Sequence, residues 1–141
     1  MIHQLSIFLE NTSGTLITVL QQLKKANVQM LSMTIADTAE YGILRIICTE
    51  PLRACDVLKQ AGIAVALSDV FALELDNRPG SASDVVEAFS QAGISLSYIY
   101  TFHMRGKGIM IFRTDNASHA AQVIANNHFL TIAEEELAKF A

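Results

Sequence analysis

The chain has 141 residues, 51% of them hydrophobic, a mean hydropathy of +0.33 and a formal net charge of −4. Its basic residues are spread thinly, with no run longer than Lys24-Lys25, so the clustered positive surface that captures nucleic acid is missing. No apolar run reaches the roughly 18 residues of a membrane span, and Met1-Ile2-His3-Gln4-Leu5 lacks the basic region of a signal peptide. The surplus of apolar residues therefore points to subunit contact rather than lipid. Cys48 and Cys55 have no metal-ligand spacing and read as reduced thiols, which suits a cytoplasmic protein without metal or cofactor.

Leu5 to Leu9 alternates and predicts a strand, followed by a turn at Asn11-Thr12-Ser13-Gly14. Leu16, Val19, Leu20 and Leu23 then fall on one helical face, and Ala26-Asn27 stops that helix. A β-rich stretch from Val28 to about Asp37 leads through a turn containing Gly42 into a strand at Ile43 to Ile47. Pro51 opens a second helix with Leu52, Cys55 and Leu58 on one face. Ala64 to Leu67 predicts a closing strand, and Phe71 to Leu75 another directly after it.

The order then repeats. Asn77-Arg78-Pro79-Gly80 is a turn, and Ala82, Val85, Val86 and Phe89 form an apolar helix face that Ala92-Gly93 ends. A β-rich stretch from Ile94 to about Met104 precedes Gly108 and a strand at Ile109 to Phe112. A helix after Asp115-Asn116 should turn Ala121 and Ile124 inward. Phe129 to Leu137 should close the second copy, with Glu134-Glu135-Glu136 reading as a solvated run that leaves its end open between strand and helix.

Asn11 and Asn77, Gly14 and Gly80, Ala26 and Ala92, and Gly42 and Gly108 all share one offset, 77 − 11 = 66 residues, without insertion or deletion. A constant period means two copies of one structural unit. Each copy reads βαββαβ, so the fold class is α+β: two ferredoxin-like modules, residues 1–68 and 69–141, each an antiparallel sheet with helices on one face. A module of this size buries only a marginal core. Ile109-Met110-Ile111-Phe112 is also apolar on both faces, so packing between modules and a homodimer are expected.

The turn after each first strand holds the chemistry. An Asn and a Gly ahead of a helix offer unpaired backbone N–H groups at the positive end of the helix dipole, a site for a carboxylate. The Asn amide adds a donor and an acceptor, and Gly admits close approach. The alternative is that both are simply turn formers. Elsewhere His3, His103, His119 and His128 have no counterparts in the other copy and no ligand spacing. Ser81 and Ser83 suit a helix start, and no catalytic constellation is evident.

Leu75-Asp76-Asn77-Arg78-Pro79-Gly80, with its amphipathic helix, Ala92-Gly93-Ile94 and hairpin, resembles the ACT domain, a small regulatory module of amino-acid metabolism. Leu9-Glu10-Asn11-Thr12-Ser13-Gly14 is similar, with Ser13 where proline is usual. The resemblance implies a free amino acid bound between two modules, held by the turn of one and the start of the second strand of another. By position it implicates Asn11, Ser13 and Gly14 with Gln29, Met30 and Leu31 in copy one. In copy two it implicates Asn77, Pro79 and Gly80 with Ser95, Leu96 and Ser97.

Serine-sensing modules of 3-phosphoglycerate dehydrogenase place a histidine two residues before the turn Asn. Leu9 and Leu75 stand there here, which argues against serine. The implied role is a non-catalytic sensor acting on an amino-acid biosynthetic enzyme, much as the small subunit of acetolactate synthase carries such modules. Two other uses of the chain remain: a small enzyme acting on an amino-acid-like or acyl phosphate substrate, or a structural dimerisation module.

Overall fold

Leu5, Ile7 and Leu9 alternate along β1 (Ile2–Glu10) and are buried on one face of the strand, while Phe8 between them points the other way and is exposed. The structure, a computed structural model, describes residues 1–10, 14–37 and 41–139. After β1 come α1 (Thr15–Lys25), β2 (Met30–Asp37), β3 (Tyr41–Cys48), α2 (Pro51–Gln60) and β4 (Val65–Leu75). The second copy follows as α3 (Ser81–Gln91), β5 (Leu96–Met104), β6 (Lys107–Thr114), α4 (Ala117–Asn126) and the short α5 (Glu134–Ala138). By contacts the chain forms two units. His3–Asp69 and the residues from Glu134 on make the first, and Val70–Ala133 with Met1–Ile2 the second.

In the first unit the strands lie in the order β2-β3-β1-β4. β3 pairs antiparallel with both neighbours, so Leu44 sits between Ile7 and Ile35, and Ile46 between Leu5 and Met33. Facing residues of adjacent strands project to the same side of a sheet. Leu5, Ile7, Leu44 and Ile46 therefore make one apolar floor, on which α1 packs with Val19 and Leu23, and α2 with Ala54, Cys55 and Leu58. Arg53 in α2 donates to the carbonyl of Ala26 (2.6 Å), placing a cation on the exposed carbonyls that end α1. Glu50 accepts the other edge of the same guanidinium (2.6 and 3.1 Å), and that contact holds its carboxyl below the ordinary range.

The second unit orders its strands β4-β6-β5, with β6 antiparallel to both partners. Phe89 of α3 lies against Phe112, with ring centroids 4.9 Å apart, and Phe112 stacks on Phe71 at 5.1 Å. Ile109, Met110, Ile111 and Phe112 are all buried, as a continuous apolar run requires.

The period of 66 holds down to single hydrogen bonds. Ala26 N–H to Gln22 recurs as Ala92 N–H to Ala88, and Val28 N–H to Leu23 as Ile94 N–H to Phe89. The irregular register at Met30/Ser32 returns at Leu96/Tyr98. The βαββαβ reading and the tandem arrangement stand on this agreement.

Three local expectations change. The strands foreseen at Ala64–Leu67 and Phe71–Leu75 are one strand, β4, because Leu67-Ser68-Asp69-Val70-Phe71 holds no glycine or proline to turn the chain. The closing strand of copy two shrinks to a bridge of Thr131 with Leu73, flanked by Glu74 N–H to Leu130 and Ile132 N–H to Ala72. Glu134-Glu135-Glu136 then start a helix, where acidic side chains suit the positive N-terminus.

Glu134 is no solvated charge either: it accepts from the His3 backbone N–H (2.9 Å) and meets His3 Nδ1 at 2.9 Å. Finally Leu52, Ala82, Val86 and Ala121, expected inward, are exposed, whereas Pro51, Ala54 and Ala120 are buried. Each residue turns about 100° round a helix from its neighbour. The stripe that meets the sheet therefore shifts by one position when the helix rolls on its floor.

Candidate functional site

Each first strand ends in a turn that starts a helix from a glycine. Gly80 (φ 85°) and Gly14 (φ 96°) both adopt the left-handed conformation that favours glycine, and both are the N-cap residue. Glycine leaves both helices without an N-cap side chain; in α4, by contrast, the Asn116 carboxamide accepts from His119 N–H (3.2 Å). A glycine start lets an outside anion approach the first turns closely, although in α3 the Ser81 N–H already reaches the Arg78 carbonyl (3.4 Å).

In copy two the turn is braced by charge. Arg78 donates to Asp84 (2.7 Å), and its Nε lies 3.6 Å from the Asp76 carboxylate. The Asp84 contact raises the guanidinium further into its charged range. Arg78 N–H also donates to the Asp76 carbonyl (2.9 Å), which closes the turn beneath Asn77.

Asn77, Pro79 and Gly80 line a cavity of about 490 Å³ together with Thr101 and His103 of β5 and Gly108 of β6. Gly108 keeps the wall open there: a Cβ would stand 3.3 Å from Leu75 Cβ, a tight contact. The sequence reading did not include Thr101, His103 or Gly108. The signal was present in the alternation of β5 and its antiparallel register, which sets His103 opposite Gly108.

Ser95, Leu96 and Ser97 do not join this cavity. They follow α3, whose 11 residues separate them from the turn by about 16 Å of helix. The Ser95 carbonyl instead accepts from Thr114 (2.8 Å), and Leu96 packs on the core of its unit. In copy one Asn11 and Ser13 lie outside the described residues. Gly14 lines a second cavity of about 610 Å³ beside Phe8, Glu10 and Tyr41. Gln29, Met30 and Leu31 sit beyond the far end of α1: the Gln29 carbonyl accepts from Thr49 N–H (3.1 Å), and Met30 packs on the core. Neither module therefore brings its turn and the start of its own second strand into one cavity.

Among the described residues no group of three or more His, Cys, Asp or Glu could hold a metal ion, and no helix is long and apolar enough to cross a membrane. Both cysteines are free and buried.

Paired ferredoxin-like units, each starting a helix from a left-handed glycine after its first strand, define a tandem α+β protein. A family model for ACT domain pairs matches residues 1–141, and the chain belongs to that family. Among solved structures it is similar to protein BT0572 from Bacteroides thetaiotaomicron, at 34% identity over 97% of this chain and 95% of that one, with a TM-score of 0.90. The regulatory subunits of aspartate kinase from Thermus thermophilus (ligand-free form) and Thermus flavus share the fold. Each is 14% identical, with TM-scores of 0.60 and 0.57 over 88% and 89% of this chain and 91% and 92% of theirs. No protein of curated function matches the sequence.

Proposed function

We propose that the chain is a non-catalytic cytoplasmic sensor that binds a free amino acid at a seam between two modules and passes the bound state to an enzyme of amino-acid metabolism. The observation that carries this reading is the helix started by a left-handed glycine, which recurs in both copies after the first strand. The ligand carboxylate meets the first-turn N–H groups of α3, Asn77 holds the ammonium through its carbonyl oxygen, and Ser95 to Ser97 of an adjoining module close the pocket. In copy one Asn11, Ser13 and Gly14 play the same part with Gln29 to Leu31. Ligand stabilises one arrangement of modules over another, and that differential affinity is the signal.

A thermal-shift screen against the common amino acids tests this. Ligand at 100 times its dissociation constant stabilises the native state by about 2.7 kcal/mol, a rise of several degrees in melting temperature. The rise should be selective for one or a few amino acids and absent in Asn77→Ala. A flat response to every amino acid would instead favour a structural dimerisation module, and turnover of an acyl phosphate a small enzyme.

We also infer a homodimer, which the exposed apolar residues support. Ile17 on α1 and Met33 and Ile35 on the edge strand β2 are 53%, 43% and 48% exposed. An unpaired edge carrying apolar side chains is a template for association. Ile35→Lys should shift the molecular mass measured by light scattering toward the monomer; an unchanged mass would remove β2 from the interface.

A further inference from the structure

The outer strand of a sheet offers unpaired backbone groups to any other outer strand. β2 holds that place in the first unit and β5 in the second. Their backbones do not choose among β2 with β2, β5 with β5 and β2 with β5. The choice falls to the side chains beside each strand, and there the two copies have diverged.

In the second unit Ala82, Ser83, Val86 and Ser90 of α3, with Ile99 and Thr101 of β5, line an open groove of about 720 Å³. At an offset of 66 the first unit has Leu16, Ile17, Leu20 and Lys24 on α1, with Met33 and Ile35 on β2. Register supports the match: Ile99 and Thr101 stand opposite Phe112 and Met110 of β6, as Met33 and Ile35 stand opposite Ile46 and Leu44 of β3. Where the second unit is hollow the first is filled, and Ile17, Met33 and Ile35 are open to solvent. A large face fits a hollow one, whereas two large faces collide and two hollow ones leave a gap.

Charge divides the same way. α1 carries Lys24 and Lys25 and no carboxylate, whereas α3 carries Asp84 and Glu87 and no cation. Two α1 helices side by side repel, as do two α3 helices, while α1 beside α3 attracts. Packed antiparallel, the basic last turn of α1 comes to the first turn of α3, where Asp84 stands.

We propose that the occupant of this groove is the first unit of a second copy of the chain. α1 and β2 of one copy pack on α3 and β5 of the other, and a two-fold dimer makes the contact twice. This rests on the homodimer inferred above and assigns the surfaces that make it. The two sides of each contact therefore come from different modules, not from the same module twice.

Disulfide trapping of the full chain tests it. Leu20 and Val86 are each the sixth of 11 helix residues, so they come abreast whichever way the helices run. Leu20→Cys and Val86→Cys chains, one of them tagged to change its size, are expressed alone and together and oxidised with copper–phenanthroline. Cys48 and Cys55 are buried and do not compete. Together the chains should give a disulfide dimer of one tagged and one untagged copy; each alone should give none. Lys24→Glu with Lys25→Glu should also raise the dimer dissociation constant roughly tenfold or more at low salt. Adding Glu87→Lys to that chain should recover part of the loss, and this arm holds if a cysteine variant fails to fold. Disulfides within either variant alone, none in the mixture, or a dimer indifferent to the lysine changes overturns the proposal and leaves the homodimer standing. A monomeric wild-type chain in light scattering overturns both.

Discussion

Phe89→Ala should destabilise the protein by about 3–5 kcal/mol, seen as a lower urea midpoint with little change in slope. Phe89 is fully buried, and its ring lies 4.9 Å from that of Phe112 and 6.4 Å from that of Phe129. Truncation removes the contacts of a whole ring and leaves a cavity bounded by strand and helix. Neighbours can collapse into it only partly, because Phe112 is itself fixed against Phe71. Val86 is the control. Three residues before Phe89 in the same helix and 38% exposed, its change to alanine should cost less than about 0.5–1 kcal/mol. Equal effects of the two substitutions would mean that α3 faces its sheet through a different stripe.

Alkaline destabilisation is the second large effect. Burial pushes the Cys48 thiol from 9.0 up to about 11, with the carboxylates of Glu134 and Glu50 adding to the rise and the Glu50 backbone N–H opposing it. Unfolded, the thiol loses its proton near pH 9; folded, it keeps it until about pH 11. Between those values the native state binds more protons than the unfolded state, so stability is full below pH 9 and is lost as pH rises toward 11.

The shift corresponds to a loss of about 3 kcal/mol over that window. Other groups titrate there too, so the readout is the difference in urea stability between the wild-type chain and Cys48→Ala. That difference should narrow progressively from pH 9 to 11. A constant difference would show that the thiol is not shielded from water in the folded protein. The same burial makes Cys48 slow to alkylate in the native state.

Much of the fold could be read before any coordinates, and the reason is specific. Turn residues and apolar periods recur at one spacing, so each element predicted in one copy was checked by its counterpart. Gly14 and Gly80 could be recognised as helix-starting glycines because a left-handed residue ahead of an amphipathic run has few other uses. What could not be read were features that depend on which surfaces meet. Leu52 and Val86 look as inward as Cys55 and Val85 until the roll of each helix on its sheet is known. Glu134 looks solvated until His3, 131 residues earlier, is found beside it. Thr101 and His103 gained interest only when register set them beside the Asn77 turn.

By itself the sequence determined that there are two modules, in what order their elements run, and where each starts a helix from a glycine, because these follow from local periodicity and turn chemistry. Only the tertiary structure decided that β4 serves both units as one strand and that the last helix joins the first unit. It also decided that equivalent positions set two exposed rings together in one copy and an ion pair in the other. Those outcomes rest on contacts between residues far apart in the chain, whose energies no local pattern encodes.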